Sequence, residues 1–174
     1  MAAPDDDLLR PMRPGDLDAV LAVQRACYGA GFVEGADVVA RRLAAAPGTA
    51  WVAQRQGRVR AYLSACPSQA GRPTALHGDF EPAGAAADTL YLHDLAVHPE
   101  AHGAGLGPRL VRHALAVAAQ RGWPHAALVA VQGSVGFWQR FGFRVHALAD
   151  PQAQARLAGY PGEAHYMLRR ASPG

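Results

Sequence analysis

Apolar residues recur along this chain at two alternating periods, and the switches between them outline the fold. Leu8 to Met12 reads as a short strand, and Pro14-Gly15-Asp16 as a turn that offers Asp16 to cap the next helix. Leu17, Val20, Leu21 and Val23 to about Tyr28 fall at helical spacing and predict a first helix. Val38, Val39 and Leu43 predict a second, shorter one, ended by Pro47-Gly48. The period then drops to two: Thr49 to Gln54 and Val59 to Leu63, joined by a turn around Gly57, predict a β-hairpin. Residues 64 to 88 carry Pro67, Gly71, Pro73, Gly78, Pro82 and Gly84 and predict an irregular excursion, longer than an ordinary hairpin connection.

Leu90 to Val97 gives the strongest strand signal and stops at Pro99. A glycine loop, Gly103 to Gly107, then opens a helix marked by Leu106, Leu110, Val111, Ala114, Leu115 and Ala118 and running to Gly122. Pro108 fits its first turn, where no amide is needed. Ala126 to Val131 predicts a short strand buried on both faces. Ser134 caps a predicted helix from Val135 to Phe141, with Gly142 as its left-handed closing residue. Phe143 to Leu148 and Ala164 to Arg169 finish the chain as strands. Helices and strands thus intermix, which is an α/β order.

Composition narrows the chemistry. The 174 residues include 38 Ala and 17 Arg but no Lys, Asn or Ile, the mark of a genome rich in G and C. Without Lys there is neither a Schiff-base site for pyridoxal phosphate nor a Walker A lysine. The length suits one domain, read here as residues 8–170 after a disordered acidic tail at 1–7. The net charge of +3 is spread without a run, and no aromatic-basic interleaving points to nucleic acid. No apolar run reaches the 18 residues of a membrane span, and Asp5, Asp6 and Asp7 stand where a secretory leader would be positive. Cys27 and Cys66 lack a metal or redox spacing and read as buried residues or free thiols. A cytoplasmic protein is expected.

The chemistry concentrates where strand 90–97 runs through the glycine loop into a helix. A loop there turns free N–H groups outward at the positive end of a helix dipole, a receptor for phosphate or pyrophosphate. A dinucleotide fits poorly, because the spacing is G-x-G-x-G, Pro108 interrupts the fingerprint, and no carboxylate follows about 20 residues on to hold a ribose. His93, Asp94, His98 and His102 suggest no metal site, since i to i+4 convergence demands a helix that Pro99 and the strand forbid. His98, before Pro99, is expected at the surface.

The run from Leu92 to Gly107, Leu-His-Asp-Leu-Ala-Val-His-Pro-Glu-Ala-His-Gly-Ala-Gly-Leu-Gly, resembles the acetyl-CoA motif of the GNAT superfamily of N-acetyltransferases. Phe137-Trp138-Gln139-Arg140-Phe141-Gly142-Phe143 resembles the family's second block. Together with the flanking elements, the resemblance covers almost the whole chain. It implies an α+β mixed sheet, mostly antiparallel, splayed between two parallel strands at 90–97 and 126–131, with helices on both faces. It also implies acetyl-CoA as cosubstrate and no metal. The pantetheine arm would bond to the backbone of Leu95, Ala96 and Val97, and the pyrophosphate would sit on the loop His102, Gly103, Ala104, Gly105, Leu106 and Gly107. Ser134 and Phe137 are implied as further coenzyme contacts.

Three positions depart from the family's pattern. His102 replaces the usual Arg or Gln and makes one phosphate donor weaker and pH-dependent. Val131 stands where an Asn often follows the second strand. Trp138 takes the place of the Tyr that protonates the departing thiolate, and an indole N–H does not give up its proton. In the arylalkylamine N-acetyltransferase branch a His pair on the same strand resembles the base; His93 matches its second member and Tyr91 stands at the first. Strand alternation places Tyr91, His93, Leu95 and Val97 on one face and Asp94 on the other, which makes His93 the candidate base and Asp94 a structural residue.

The expected activity is acetyl transfer from acetyl-CoA to a primary amine of a small molecule or a peptide, with His93 and Trp138 at the reacting end. A domain that binds acyl-CoA without turnover is the alternative. Residues 29–46 and 64–88 would rim the acceptor side, where Glu34, Asp37, Asp79, Glu81 and Asp88 would attract a cation. The partner is thus a small-molecule amine rather than nucleic acid or membrane, and the resemblance allows a homodimer.

Overall fold

The computed structural model describes residues 7–81 and 83–171. Seven strands form one sheet: β1 (Leu8–Pro11), β2 (Ala50–Arg55), β3 (Arg58–Ser68), β4 (Thr89–Val97), β5 (His125–Ala130), β6 (Arg144–Val145) and β7 (His165–Arg170). Their spatial order is β1-β2-β3-β4-β5-β7-β6, antiparallel throughout except for the parallel pair β4 and β5. Five helices complete the chain: α1 (Leu17–Cys27), α2 (Ala36–Ala45), α3 (Leu106–Gln120), α4 (Val135–Gln139) and α5 (Pro151–Ala158). The sheet is mixed, splayed and covered by helices on both faces, the GNAT-like arrangement expected from the sequence.

The periodicity dictates which helix covers which face. Leu106, Leu110, Val111 and Ala114 of α3 are buried against Ala53, Ala61, Leu63, Leu90 and Leu92, and α4 adds Trp138 to the same layer. Val20 and Val23 of α1 and Leu43 of α2 meet Val52, Tyr62 and Ala96 on the opposite face. Small residues on β2 and β3 leave room for α3 to seat Leu110, which is fully buried. Truncating such a leucine costs about 2–5 kcal/mol.

Several elements differ from the sequence reading. Asp16 makes no side-chain cap on α1; its carboxylate binds Arg10 at 2.7 and 2.8 Å and accepts the Arg13 amide at 2.8 Å. β3 continues through Pro67 to Ser68, inside the stretch expected to be irregular. Beyond Ser64 it has no β2 partner, so the missing N–H of Pro67 leaves no ladder bond unmade on that side. Only Arg144 and Val145 of the expected strand 143–148 pair with β7, followed by one bond from the His146 amide to the Tyr166 carbonyl. The chain then turns into α5, which the sequence reading lacks. Asp150 caps that helix by accepting the Ala153 amide at 2.9 Å, with Pro151 in the first helical position.

The expected acidic tail lies outside the described residues as far as residue 6. Asp7 is described, with its carboxylate 3.6 Å from Arg55 and 3.7 Å from Arg109. Among the described residues no helix is long and apolar enough to cross a membrane.

Candidate active site

The site begins where β4 and β5 part. Their parallel register holds for four pairs, from Thr89 and His125 to Leu92 and Leu128, and ends there. Beyond it a cleft of about 470 Å³ opens, floored by Leu92, His93, Leu95, Ala96 and Val97 of β4 and walled by α3, α4, Val129, Val131, Gln132 and Ser134. It runs from the loop after His102 at one end to Tyr28 and His93 at the other, and Trp138 is among its lining residues.

A bulge at His93 sets the chemistry of the floor. Ser64 pairs with Asp94 and Ala65 with Leu92, so His93 is an extra residue on β4 with no partner opposite. The alternation resets there: Leu90, Leu92, Leu95 and Val97 share the α3 face, while Tyr91 and Ala96 share the other. The expectation that His93 shares a face with Leu95 and Val97 and that Asp94 points oppositely is therefore overturned. Both side chains reach residues of the α1–α2 side: His93 meets Glu34 and Phe80, and Asp94 meets Tyr28 and Tyr62.

Ladder parity decides which backbone groups face the opening. Ala61 pairs with Val97, and the His98 amide bonds the Arg60 carbonyl at 2.7 Å. Hydrogen-bonded pairs alternate with non-bonded ones in an antiparallel ladder, so Ala96 exchanges its bonds with Tyr62 while Leu95 and Val97 turn theirs outward. Of the three residues named from sequence, Leu95 and Val97 present peptide groups to the cleft and Ala96 does not. The outward carbonyls already have donors: Tyr28 Oη lies 2.7 Å from Leu95 O, and Cys27 Sγ and His102 Nε2 each lie 3.0 Å from Val97 O. His102 thus turns its ring to β4.

At the mouth, Gly103 and Gly105 take φ of +86° and +78°, the left-handed region glycine reaches without strain. That path leaves the N–H groups of Gly103, Gly105, Leu106 and Gly107 without a backbone acceptor among the described residues, while the Ala104 amide bonds Ala101 O at 3.3 Å. These free donors stand at the N-terminus of the 15-residue α3 and point a positive dipole end at the opening. An anionic diphosphate fits them, and an extended arm with amide groups fits Leu95 and Val97.

Ser134, Phe137 and Trp138 line the same wall. Ser134 makes no side-chain cap; its carbonyl accepts the Trp138 amide at 3.2 Å. Trp138 is buried, with the rings of Phe137 and Phe143 edge-on at 4.9 and 5.7 Å. It shapes the wall and offers at most one indole donor.

A charged cluster stands behind His93. Arg42 binds both oxygens of Glu34 at 2.6 Å and also donates to Gly78 O. Glu34 accepts in addition from the His77 amide at 2.8 Å and from His93 Nε2 at 3.1 Å. Burial alone would raise the Glu34 carboxyl, but the bonds from His93 and Arg42 outweigh it and hold the group well below the usual carboxylate range. An ionised Glu34 can only accept, so Nε2 carries a hydrogen, and in the neutral imidazole Nδ1 then bears the lone pair. That Nδ1 is buried and has no hydrogen-bond partner. A smaller cavity of about 30 Å³ lies on this side, lined by Tyr28, Phe32, Tyr160, Leu76, Glu34, His93 and Asp94 among others.

Of the five acids expected to attract a cation, four are paired with arginines and the fifth, Asp88, accepts hydrogen bonds from neutral donors. Glu34 is neutralised by Arg42, Asp37 and Asp79 both bind Arg41, Glu81 binds Arg156, and Asp88 accepts from Ala70 and Thr89. Arginines scattered along the sequence fold back onto these loops, which spacing alone does not reveal. Sequence reading also passed over Tyr28, Tyr62 and Arg42, whose roles depend on contacts more than 30 positions apart in two of the three cases. His98 donates no bond outward; its Nδ1 accepts the Glu100 amide at 3.2 Å. Among the described residues no three His, Cys, Asp or Glu side chains are grouped to hold a metal ion.

Comparison with known proteins matches residues 17–143 to the Acetyltransferase (GNAT) family. No curated protein matches the chain in sequence. Among solved structures, the GNAT-like decarboxylase GphF in complex with isobutyryl-CoA aligns with a TM-score of 0.76 at 20% identity, over 94% of this chain and 98% of that one. A GNAT family acetyltransferase from Brucella melitensis in complex with acetyl-CoA gives 0.63 at 20% identity, covering 97% and 90%. The ribosomal-protein-S18-alanine N-acetyltransferase from Escherichia coli gives 0.67 at 15%, covering 97% and 96%. At such identities the likeness concerns the fold, which agrees with the family match over most of the sequence: this chain belongs to the GNAT family of acetyltransferases.

Proposed function

We propose that the protein transfers the acetyl group of acetyl-CoA to a primary amine of a small molecule, with His93 as the base. One observation carries this reading: a buried imidazole whose Nδ1 is unpartnered borders both the cleft and the smaller cavity beyond it. Acetyl-CoA supplies the activated acyl group. The free amides of Gly103, Gly105, Leu106 and Gly107 suit its diphosphate, and the outward peptide groups of Leu95 and Val97 suit its pantetheine arm.

An amine attacks only when neutral, and a free alkylammonium has a pKa near 10. Nδ1 of His93 takes up that proton, and the Glu34 carboxylate on Nε2 stabilises the imidazolium that results. The Arg42 ion pair fixes Glu34 and so fixes the tautomer of His93. Tyr28, Phe32 and Tyr160 give the smaller cavity aromatic walls, whose faces favour an approaching ammonium. Its small size favours the compact amine end of an acceptor over a bulky branched one.

Trp138 favours a second reading, a domain that binds acyl-CoA without turnover. The two separate when pure protein is mixed with acetyl-CoA and a panel of small amines and peptide N-termini. The enzyme reading predicts an acetylated amine and a loss of roughly 10²- to 10⁴-fold in kcat for His93→Ala with coenzyme binding retained. Full activity of His93→Ala between about pH 6 and 9 refutes the base assignment. Coenzyme binding with no acceptor acetylated would favour the second reading.

A further inference from the structure

Acetyl transfer releases a thiolate, and Trp138 cannot protonate it. The same opening holds a phenol. Tyr28 follows the last turn of α1 in an extended conformation, φ −117° and ψ 143°, and its ring lines both the cleft and the smaller cavity. Its hydroxyl lies 2.7 Å from Leu95 O and 2.9 Å from Asp94 Oδ1. A phenol has one hydrogen, and a carbonyl can only accept. Both contacts are hydrogen bonds if Asp94 carries a proton, so that Asp94 donates to Tyr28 and Tyr28 donates to Leu95. Tyr62 holds the other oxygen, Oδ2, and fixes the carboxyl in that orientation.

The surroundings favour the neutral acid. Facing Asp94 are Tyr62 from β3, Tyr28 and Cys27 from the end of α1, Glu34 from the segment between α1 and α2, and His93 beside it on β4. Burial raises the carboxyl above its ordinary range and outweighs Tyr62, His93 and Tyr28, which act to lower it, while the Glu34 charge acts in the same direction as burial.

Building on the acetyl-transfer reading, we propose that Tyr28 is the acid of this site, giving its phenolic proton to the sulfur of departing coenzyme A and recovering one from the Asp94 carboxyl. As the new C–N bond forms and the C–S bond breaks, the Tyr28 O–H bond breaks and an S–H bond forms. The Asp94 O–H proton moves to the Tyr28 oxygen, leaving a carboxylate. His93, protonated by the ammonium, returns that proton to Asp94 through solvent, and the second proton, shed by the nitrogen as the amide forms, passes to bulk water, which closes the cycle. A lone phenol is a weaker acid than a thiol of pKa near 8.5, whereas a carboxylic acid behind it makes the transfer downhill. Burial raises the Tyr28 phenol further, so the relay rather than the phenol alone supplies the driving force.

The test uses the full chain and coenzyme A itself, following the ultraviolet thiolate absorbance of the bound thiol against pH with the spectrum of the free protein subtracted. In Tyr28→Phe the bound thiol ionises about one pH unit higher or more, a tenfold loss of thiolate stabilisation. With any amine acetylated by the wild type, kcat falls at least about tenfold while KM for acetyl-CoA stays within about twofold. Asp94→Asn, which retains a donor to Tyr28 but no transferable proton, shows the same fall in kcat, and it serves as the test should Tyr28→Phe fail to fold. Coenzyme bound with an unshifted thiol and unchanged turnover overturns the acid assignment alone. A wild-type chain that binds no coenzyme A overturns the acetyl-transfer reading and the acid with it.

Discussion

His93 and Asp94 are adjacent on β4, yet His93 Nε2 meets Glu34 at 3.1 Å and Asp94 Oδ1 meets the Tyr28 hydroxyl at 2.9 Å, both on the α1–α2 side of the sheet. An unbroken strand would point them to opposite faces; the bulge turns them to one. The proposed base and the proposed proton store thereby stand side by side at the point where β4 leaves β5.

The state of Asp94 has a cost that mutation exposes. A carboxyl whose folded pKa is raised above its unfolded value destabilises the fold increasingly as pH rises from the unfolded pKa through the folded one. Asp94→Asn removes that penalty with little change of shape. Its melting temperature therefore exceeds that of wild type at neutral pH, by an increment that shrinks toward about pH 4, while turnover falls. Thermal melts across pH check this; an Asp94→Asn variant less stable than wild type at pH 7 contradicts it.

Glu34 has the opposite sign. Its folded pKa lies below the unfolded value of 4.5, so its contribution is complete above that pH and drains away as pH falls toward the folded pKa. Glu34→Gln also strands the buried Arg42, at a cost of about 3–5 kcal/mol. Urea denaturation is expected to show that loss at pH 7 and a smaller one under acid, where wild type itself weakens.

The two thiols report on the cleft. Burial pushes Cys66 up to about 12 and also raises Cys27, which lines the cleft beside Val97. Iodoacetamide is expected to label Cys27 slowly in the folded protein, more slowly still with coenzyme A present, and Cys66 only after unfolding. Mass spectrometry of the labelled peptides reads the result, and coenzyme-independent labelling of Cys27 speaks against the cleft as its seat.

Gly105 tests the loop. An added Cβ meets nothing within 4 Å, so Gly105→Ala suffers only the left-handed backbone at φ +78°, about 1–2 kcal/mol. Gly57→Ala in the β2–β3 turn, at φ +72° and equally unobstructed, carries a similar strain far from the cleft. Both variants melt earlier, and only Gly105→Ala loses coenzyme affinity in titration calorimetry.

Periodicity found the helices α1, α3 and α4 and the strands β2, β4, β5 and β7 because each buries one face or both, and burial leaves a repeat in the sequence. α5 escaped because Gln152, Gln154 and Arg156 give it a weak apolar stripe, leaving Asp150-Pro151 as its only marker. The glycine loop was readable because positive φ selects Gly at Gly103 and Gly105. The bulge was not, since any residue can occupy it. The bonds of Glu34, Arg42, Tyr28 and Tyr62 were equally hidden, because they join segments whose proximity exists only after folding.

The most direct measurement is titration calorimetry of the full chain with coenzyme A and with acetyl-CoA. The account predicts saturable binding of both to one site, weakened in Gly105→Ala and in salt, since the loop amides hold an anion. Absence of binding heat with either ligand, in a protein whose melt shows it folded, contradicts the cleft, the loop and every proton assigned beyond them.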